Sequence, residues 1–140
     1  MFVRYGVGKP GSAYQRLGVE MDVAQANPHQ LVTMLFDALN VALGQAKSAM
    51  ERGDIAAKGR QIGIAVRIVE EGLSAALNLE EGGALAQNLK NLYVYCVQRL
   101  TQANAQNDPS ALAEVQKLIE TVSTSWKAIA STPSTQLQAA

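Results

Sequence analysis

The chain has 140 residues, with twelve basic and twelve acidic side chains and no net charge. That length suits one domain around one core. Balanced charge without a basic run gives no hold on nucleic acid or on an anionic membrane, and no apolar run approaches the ~20 residues of a membrane span. The opening MFVRYGVGKPGSAY lacks the apolar h-region of a Sec signal peptide. A single cysteine excludes an internal disulfide framework and suits the cytosol.

Residues 1–13, rich in glycine and carrying Pro10, read as a flexible N-terminus. Residues 14–24 (YQRLGVEMDVA) suggest a short helix, interrupted near Gly18. The first long helix has a clear start. Asn27 is the N-cap, Pro28 takes the first helical position, and Gln30 completes a capping box. Gly53 ends that helix as a left-handed cap, and Asp54 caps the next, which runs toward Asn78. The EEGG of 80–83 breaks the chain as a helix-end turn, and a third helix covers about 84–105. Asp108–Pro109 repeats the start signal for a last helix to about Ala130. Pro133 lies in the polar tail, with 131–140 flexible. Four long helices joined by short loops predict an all-α, antiparallel up-down four-helix bundle with a short extra N-terminal helix or lid segment.

Placing side chains at 100° per residue shows what each helix buries. The last helix has one seam: Leu112, Val115, Leu118 with Ile119, Val122, Trp126 and Ile129. The third has a core line of Leu85, Leu89, Leu92, Cys96, Leu100 and Ala103, with Asn88, Tyr95 and Arg99 at its edge. In the first, Leu31, Leu35, Ala38, Ala42 and Ala49 form the core line. Phe36, Leu43 and Met50 widen it on one side, Met34 and Val41 on the other, so its apolar arc reaches roughly 220° against the ~100° or more that a bundle helix requires. The second carries a core seam of Ile55, Ile62, Val66, Val69, Leu73 and Ala76. Ala57, Ile64, Ile68, Ala75 and Leu79 add a second apolar line, roughly 120–160° away around the helix. Gly59, Gly63 and Gly72 lie in the same helix, where glycine is disfavoured by about 1 kcal/mol relative to alanine.

No cofactor or metal chemistry is legible. A di-iron bundle requires Glu-x-x-His pairs on inward faces, whereas this chain has one histidine. His29, at the second helical position, reads as an exposed polar residue, and Cys96 as a small buried hydrophobe. Neither a Gly-rich phosphate loop nor a nucleophile motif is present, so no enzyme is expected. Three occupants fit the second apolar line: the N-terminal segment with Tyr14, Leu17 and Val19; a second copy of the chain; or a groove guest from another protein.

Four blocks carry a resemblance. They are ANPHQLVTMLFDAL (26–39), GDIAAKG (53–59), NLKNLYVYCVQRLTQAN (88–104) and NDPSALAEVQKLIETVSTSWKAI (107–129). In order and spacing they resemble the FliS family of flagellin-specific export chaperones, over roughly residues 14–130. Gln98 before Arg99 departs from the family's frequent pair of arginines, and the block around Gly59–Gly63 is richer in glycine than expected. The resemblance implies a cytosolic, non-catalytic helical bundle that binds the disordered C-terminal segment of flagellin, wrapped around it in largely helical form. Such binding prevents premature polymerisation and helps present flagellin to the export gate, the cytoplasmic domain of FlhA. It further implies the anti-sigma factor FlgM as a possible partner for some members.

With that resemblance, the partner-binding residues are expected to be Met34, Val41, Ala57, Ile64, Ile68, Ala75, Asn88, Tyr95 and Arg99. Tyr14 is expected as a lid that covers the groove in the free protein and swings aside for the guest. The alternative from another class is a self-associating helical adaptor, a weak homodimer through the second face, that binds another flagellar regulator such as the anti-sigma factor.

Overall fold

A computed structural model describes residues 27–130. The expected short helix at 14–24, Tyr14 and the two expected flexible ends lie outside the described residues.

Local capping sets each helix boundary. The Asn27 side chain accepts from the Gln30 N–H at 2.8 Å, and Gln30 Oε1 accepts from the Asn27 N–H at 3.0 Å. This capping box opens α1 (Pro28–Arg52), which stops at Gly53 with φ 72°. Asp54 accepts from the Ala57 N–H at 3.1 Å and opens α2 (Ile55–Arg67). α2 continues into a π-helical stretch, Ile68–Ser74. Asn78 accepts from the Glu81 N–H at 3.0 Å and opens α3 (Leu79–Gln106). Asn107, with φ 52°, ends α3. Asp108 takes the Ser110 N–H at 2.9 Å at the head of α4 (Pro109–Ala130).

Two boundaries differ from the sequence expectation. EEGG does not end a helix. Glu80, Glu81 and Gly82 form the capped first turn of α3, where acidic side chains complement the helix dipole, and the break is confined to Gly83 (φ 55°, ψ −133°). The second helix does not stay α-helical toward Asn78. From Ile68 its hydrogen bonds span five residues instead of four, the π pattern, and the rotation per residue falls.

Each helix packs on its chain neighbours, and α4 closes the ring against α1, while the diagonal pairs make little contact. This is the expected antiparallel four-helix bundle, with no strand among the described residues. The core runs its full length. Leu35, Leu39 and Leu43 of α1 are wholly buried, and each contributes about 1.5–3 kcal/mol by leaving water. Leu100 and Cys96 of α3 and Val115 and Ile119 of α4 meet them. Among the described residues no helix is long and apolar enough to cross a membrane.

The inward face of the second helix keeps the expected Ile62, Val69, Leu73 and Ala76, but it is wider than expected and loses Ile55. Lys58, Ile62, Ala65, Ile68, Val69, Gly72, Leu73 and Ala76 are buried. Ile55, expected in the core seam, is 71% exposed. It is the first residue of α2, at the end of the bundle, and the next inward position is taken by Lys58. Leu85, also expected inside, is half exposed near the kinked start of α3.

Candidate partner-binding surface

The expected binding residues fall on two seams. On α1, His29, Thr33 and Asp37 face α4, where they meet Trp126 and Lys127. At 100° per residue, Met34, Ala38 and Val41 then lie on the opposite flank, toward α2. On α2, Gly59 approaches Asn104 of α3, so the flank with Ala57, Ile64 and Ile68 turns toward α1. Counting 1.5 Å per residue from the turn at Gly53, Val41 and Ile64 stand at similar heights across the antiparallel pair.

This arrangement explains the surplus of apolar residues in the first two helices. Their extra faces bury each other, and α1–α2 is the most extensive helix contact in the bundle. Ile68 shows it most clearly. Expected on a guest-binding face, it is 1% exposed and belongs to the core. The start of the π stretch widens the inward face, so the neighbours Ile68–Val69 and Gly72–Leu73 are buried as pairs. Ile64 is half-buried and packs on the core, and Ala57 and Met34 are also half-buried. Val41 remains 62% exposed, and Ala75, past the π stretch, is exposed.

Asn88, Tyr95 and Arg99 lie elsewhere, on the flank of α3 that faces α4. The Tyr95 hydroxyl donates to Glu114 Oε2 at 2.6 Å, and Arg99 Nε donates to Glu114 Oε1 at 2.6 Å. Arg99 Nη1 donates to Gln102 Oε1. Hydrogen bonds from Tyr95 and then Arg99 hold the Glu114 carboxyl below its ordinary range. The hydrogen bond to Glu114 raises Tyr95. Asn88 is exposed, and Tyr95 is 39% exposed. Around the ring of helices, the α3–α4 seam is opposite the α1–α2 seam. The structure therefore gathers Met34, Val41, Ala57 and Ile64 on one side and Asn88, Tyr95 and Arg99 on the other.

A third feature has no signal in the sequence. An apolar cavity of about 110 Å³ opens at the end of the bundle where α1 begins and α4 finishes. α1, the π stretch with the turn after it, α3 and α4 all contribute, among them Phe36, Leu77, Leu89 and Trp126. His29, expected in solvent, stacks on Trp126 with centroids 4.1 Å apart and planes at 12°. Trp126 Nε1 donates to Thr33 Oγ1 at 3.0 Å and, at longer range, to the His29 carbonyl at 3.4 Å. Those bonds fix the indole across the first turn of α1 and bring the imidazole with it. Cys96 is buried as expected, and burial pushes its thiol up to about 11.

Residues 10–133 match the family described as flagellar protein FliS. The chain is 45% identical over 117 residues to the flagellar secretion chaperone FliS of Salmonella typhimurium, covering 84% of this chain and 87% of that protein. It is 45% identical over 116 residues to the flagellar secretion chaperone FliSB of Pseudomonas aeruginosa, covering 83% and 91%. Against the flagellar secretion chaperone FliS of Escherichia coli it is 42% identical over 126 residues, covering 90% and 93%.

Proposed function

The chain belongs to the FliS family of flagellar secretion chaperones, and from that membership we propose that it binds the C-terminal segment of flagellin in the cytosol. Binding keeps the segment from polymerising and delivers it to the flagellar export gate. The observation that carries this reading is the division of the exposed apolar surface between opposite seams, with Val41 on one side and Tyr95 on the other. A short rigid partner would meet one seam. A disordered chain that folds as it passes around the bundle meets both. Such coupled folding buries ~1,000–3,000 Å² and gives back several kcal/mol to ordering, which leaves the complex releasable. The flagellin segment assembles through amphipathic helices, so a competing apolar surface blocks assembly with no nucleotide chemistry on this protein.

Calorimetric titration with the C-terminal segment of the host flagellin tests the proposal. Wild type, Val41→Asp and Tyr95→Ala are compared, with circular dichroism alongside. One-to-one binding with gain of helix, weakened by each substitution, is expected. Weakening by one substitution alone would reduce the site to a single groove. No binding by the folded wild type would sink the flagellin reading, and a mass that rises with concentration in the absence of peptide would favour the self-associating adaptor. Ile68→Asp is unsuitable, because it places a carboxylate in the core. If Tyr14 acts as a lid, removal of residues 1–20 tightens peptide binding.

A further inference from the structure

The chain contains one histidine and one tryptophan, and the fold stacks them face to face at 4.1 Å. Trp126 is also a wall of the apolar cavity, tilted against Phe36 at 6.4 Å. The opposite edge of the imidazole matters most. His29 Nε2 is buried and has no hydrogen-bond partner among the described residues.

A neutral imidazole tolerates this, because one of its nitrogens is a bare acceptor. An imidazolium carries N–H groups at both positions. Protonation would turn Nε2 into a buried cationic donor with nothing to receive it. His29 is also the second residue of α1, where the positive end of the helix dipole opposes a further positive charge. Stacking on the indole gives some cation–π attraction in return, but it supplies no acceptor. Burial lowers the His29 pKa, and the Trp126 backbone pulls the other way. On the two helices that hold the ring, Asp37 and Lys127 pair with each other at 2.6 Å and leave it uncompensated. The acidic groups of the other two helices near this end are Glu70 and Glu71 of the π stretch and Glu80 and Glu81 of α3. Burial, not any of these charges, dominates at the ring.

We propose that the His29–Trp126 stack is a proton-operated latch on the end of the bundle. With His29 neutral, the stack holds Trp126 in place as one wall of the apolar cavity. Protonation expels the imidazolium toward water, releases the indole and widens the mouth of the cavity between α1 and α4. A protein that must hold a guest and later surrender it gains from this a release route that needs only acidification. That use rests on the chaperone reading. The latch does not, and its test requires no guest.

Trp126 emission, as the only indole signal, is followed from about pH 8 to about pH 5, with far-ultraviolet circular dichroism in parallel. Wild type should dim and shift to the red with a midpoint below 6.5, the ordinary histidine value, while helicity stays constant. His29→Gln and His29→Phe should show no transition. An NMR titration of the single imidazole gives the same midpoint without any substitution. A flat wild-type emission, an imidazole midpoint at or above 6.5, the same transition in both variants, or a parallel loss of helicity would each overturn the latch. Failure of flagellin binding with an intact fluorescence transition would overturn the chaperone reading alone.

Discussion

Lys58 of α2 reaches across the bundle to the end of α3. Its Nζ donates to the Asn104 carbonyl at 3.0 Å and to Asn107 Oδ1 at 3.1 Å, although the residue is only 4% exposed. Asn107 is the left-handed residue that turns α3 into α4, so one lysine ties the start of the second helix to the last turn of the bundle. Lys58→Met keeps the stem's packing and removes the donor. It leaves a helix-end carbonyl and an amide oxygen unpaired, at about 1–3 kcal/mol for such a loss. Urea unfolding should show a lower midpoint with an unchanged slope. A shift within error would mean that water replaces the lysine.

Two glycines of this chain should respond to alanine with opposite signs. Gly63 is exposed within α2, and a Cβ there meets nothing within 4 Å. Gly63→Ala should stabilise by about 1 kcal/mol through helix propensity. Gly83 also has open space, but its φ of 55° and ψ of −133° suit only glycine. Gly83→Ala should destabilise by about 1–3 kcal/mol. Thermal unfolding of the pair decides it, and a gain at Gly83 would mean that the kink is dispensable.

Cys96 is protected twice. It is fully buried, and burial pushes its thiol up to about 11, so little thiolate forms near neutral pH. A thiol reagent should label the native protein only at the rate of opening, and added urea should accelerate labelling in step with unfolding. Rapid labelling of the native state would place Cys96 in a seam that opens without unfolding.

The Glu114 cluster makes an acid-limb prediction. The folded carboxyl lies below its usual 4.5 because Tyr95 and then Arg99 donate to it. A depressed carboxyl contributes stability that is present above the unfolded value and is lost as pH falls through the folded one. The stability difference between wild type and Glu114→Gln should therefore be constant above 4.5 and shrink below it. A difference that persists into strong acid would assign the effect to shape rather than charge. The cluster is exposed to solvent, so salt should weaken it.

Most helix starts and stops were legible in the sequence because each rests on contacts within a few residues; the start of α3 at Leu79 and the π-helical end of the second helix were not. Asn27 with Gln30, Gly53, Asp54 and Asp108 all act where they were expected. The FliS family was legible for a related reason, since its blocks lie in register along a chain that keeps its spacing. The direction in which each helix faces was less legible. Ile55 and Ile68 exchanged their expected places, because azimuth depends on where neighbouring helices end and on a π stretch that slips the 100° count. His29 and Trp126, ninety-seven residues apart, meet only because α4 closes the ring against α1. Caps are decided by bonds to the nearest turn. Burial, the split of the exposed apolar surface into two seams and the orphaned His29 nitrogen are decided by packing between helices distant in the chain, which no local pattern encodes.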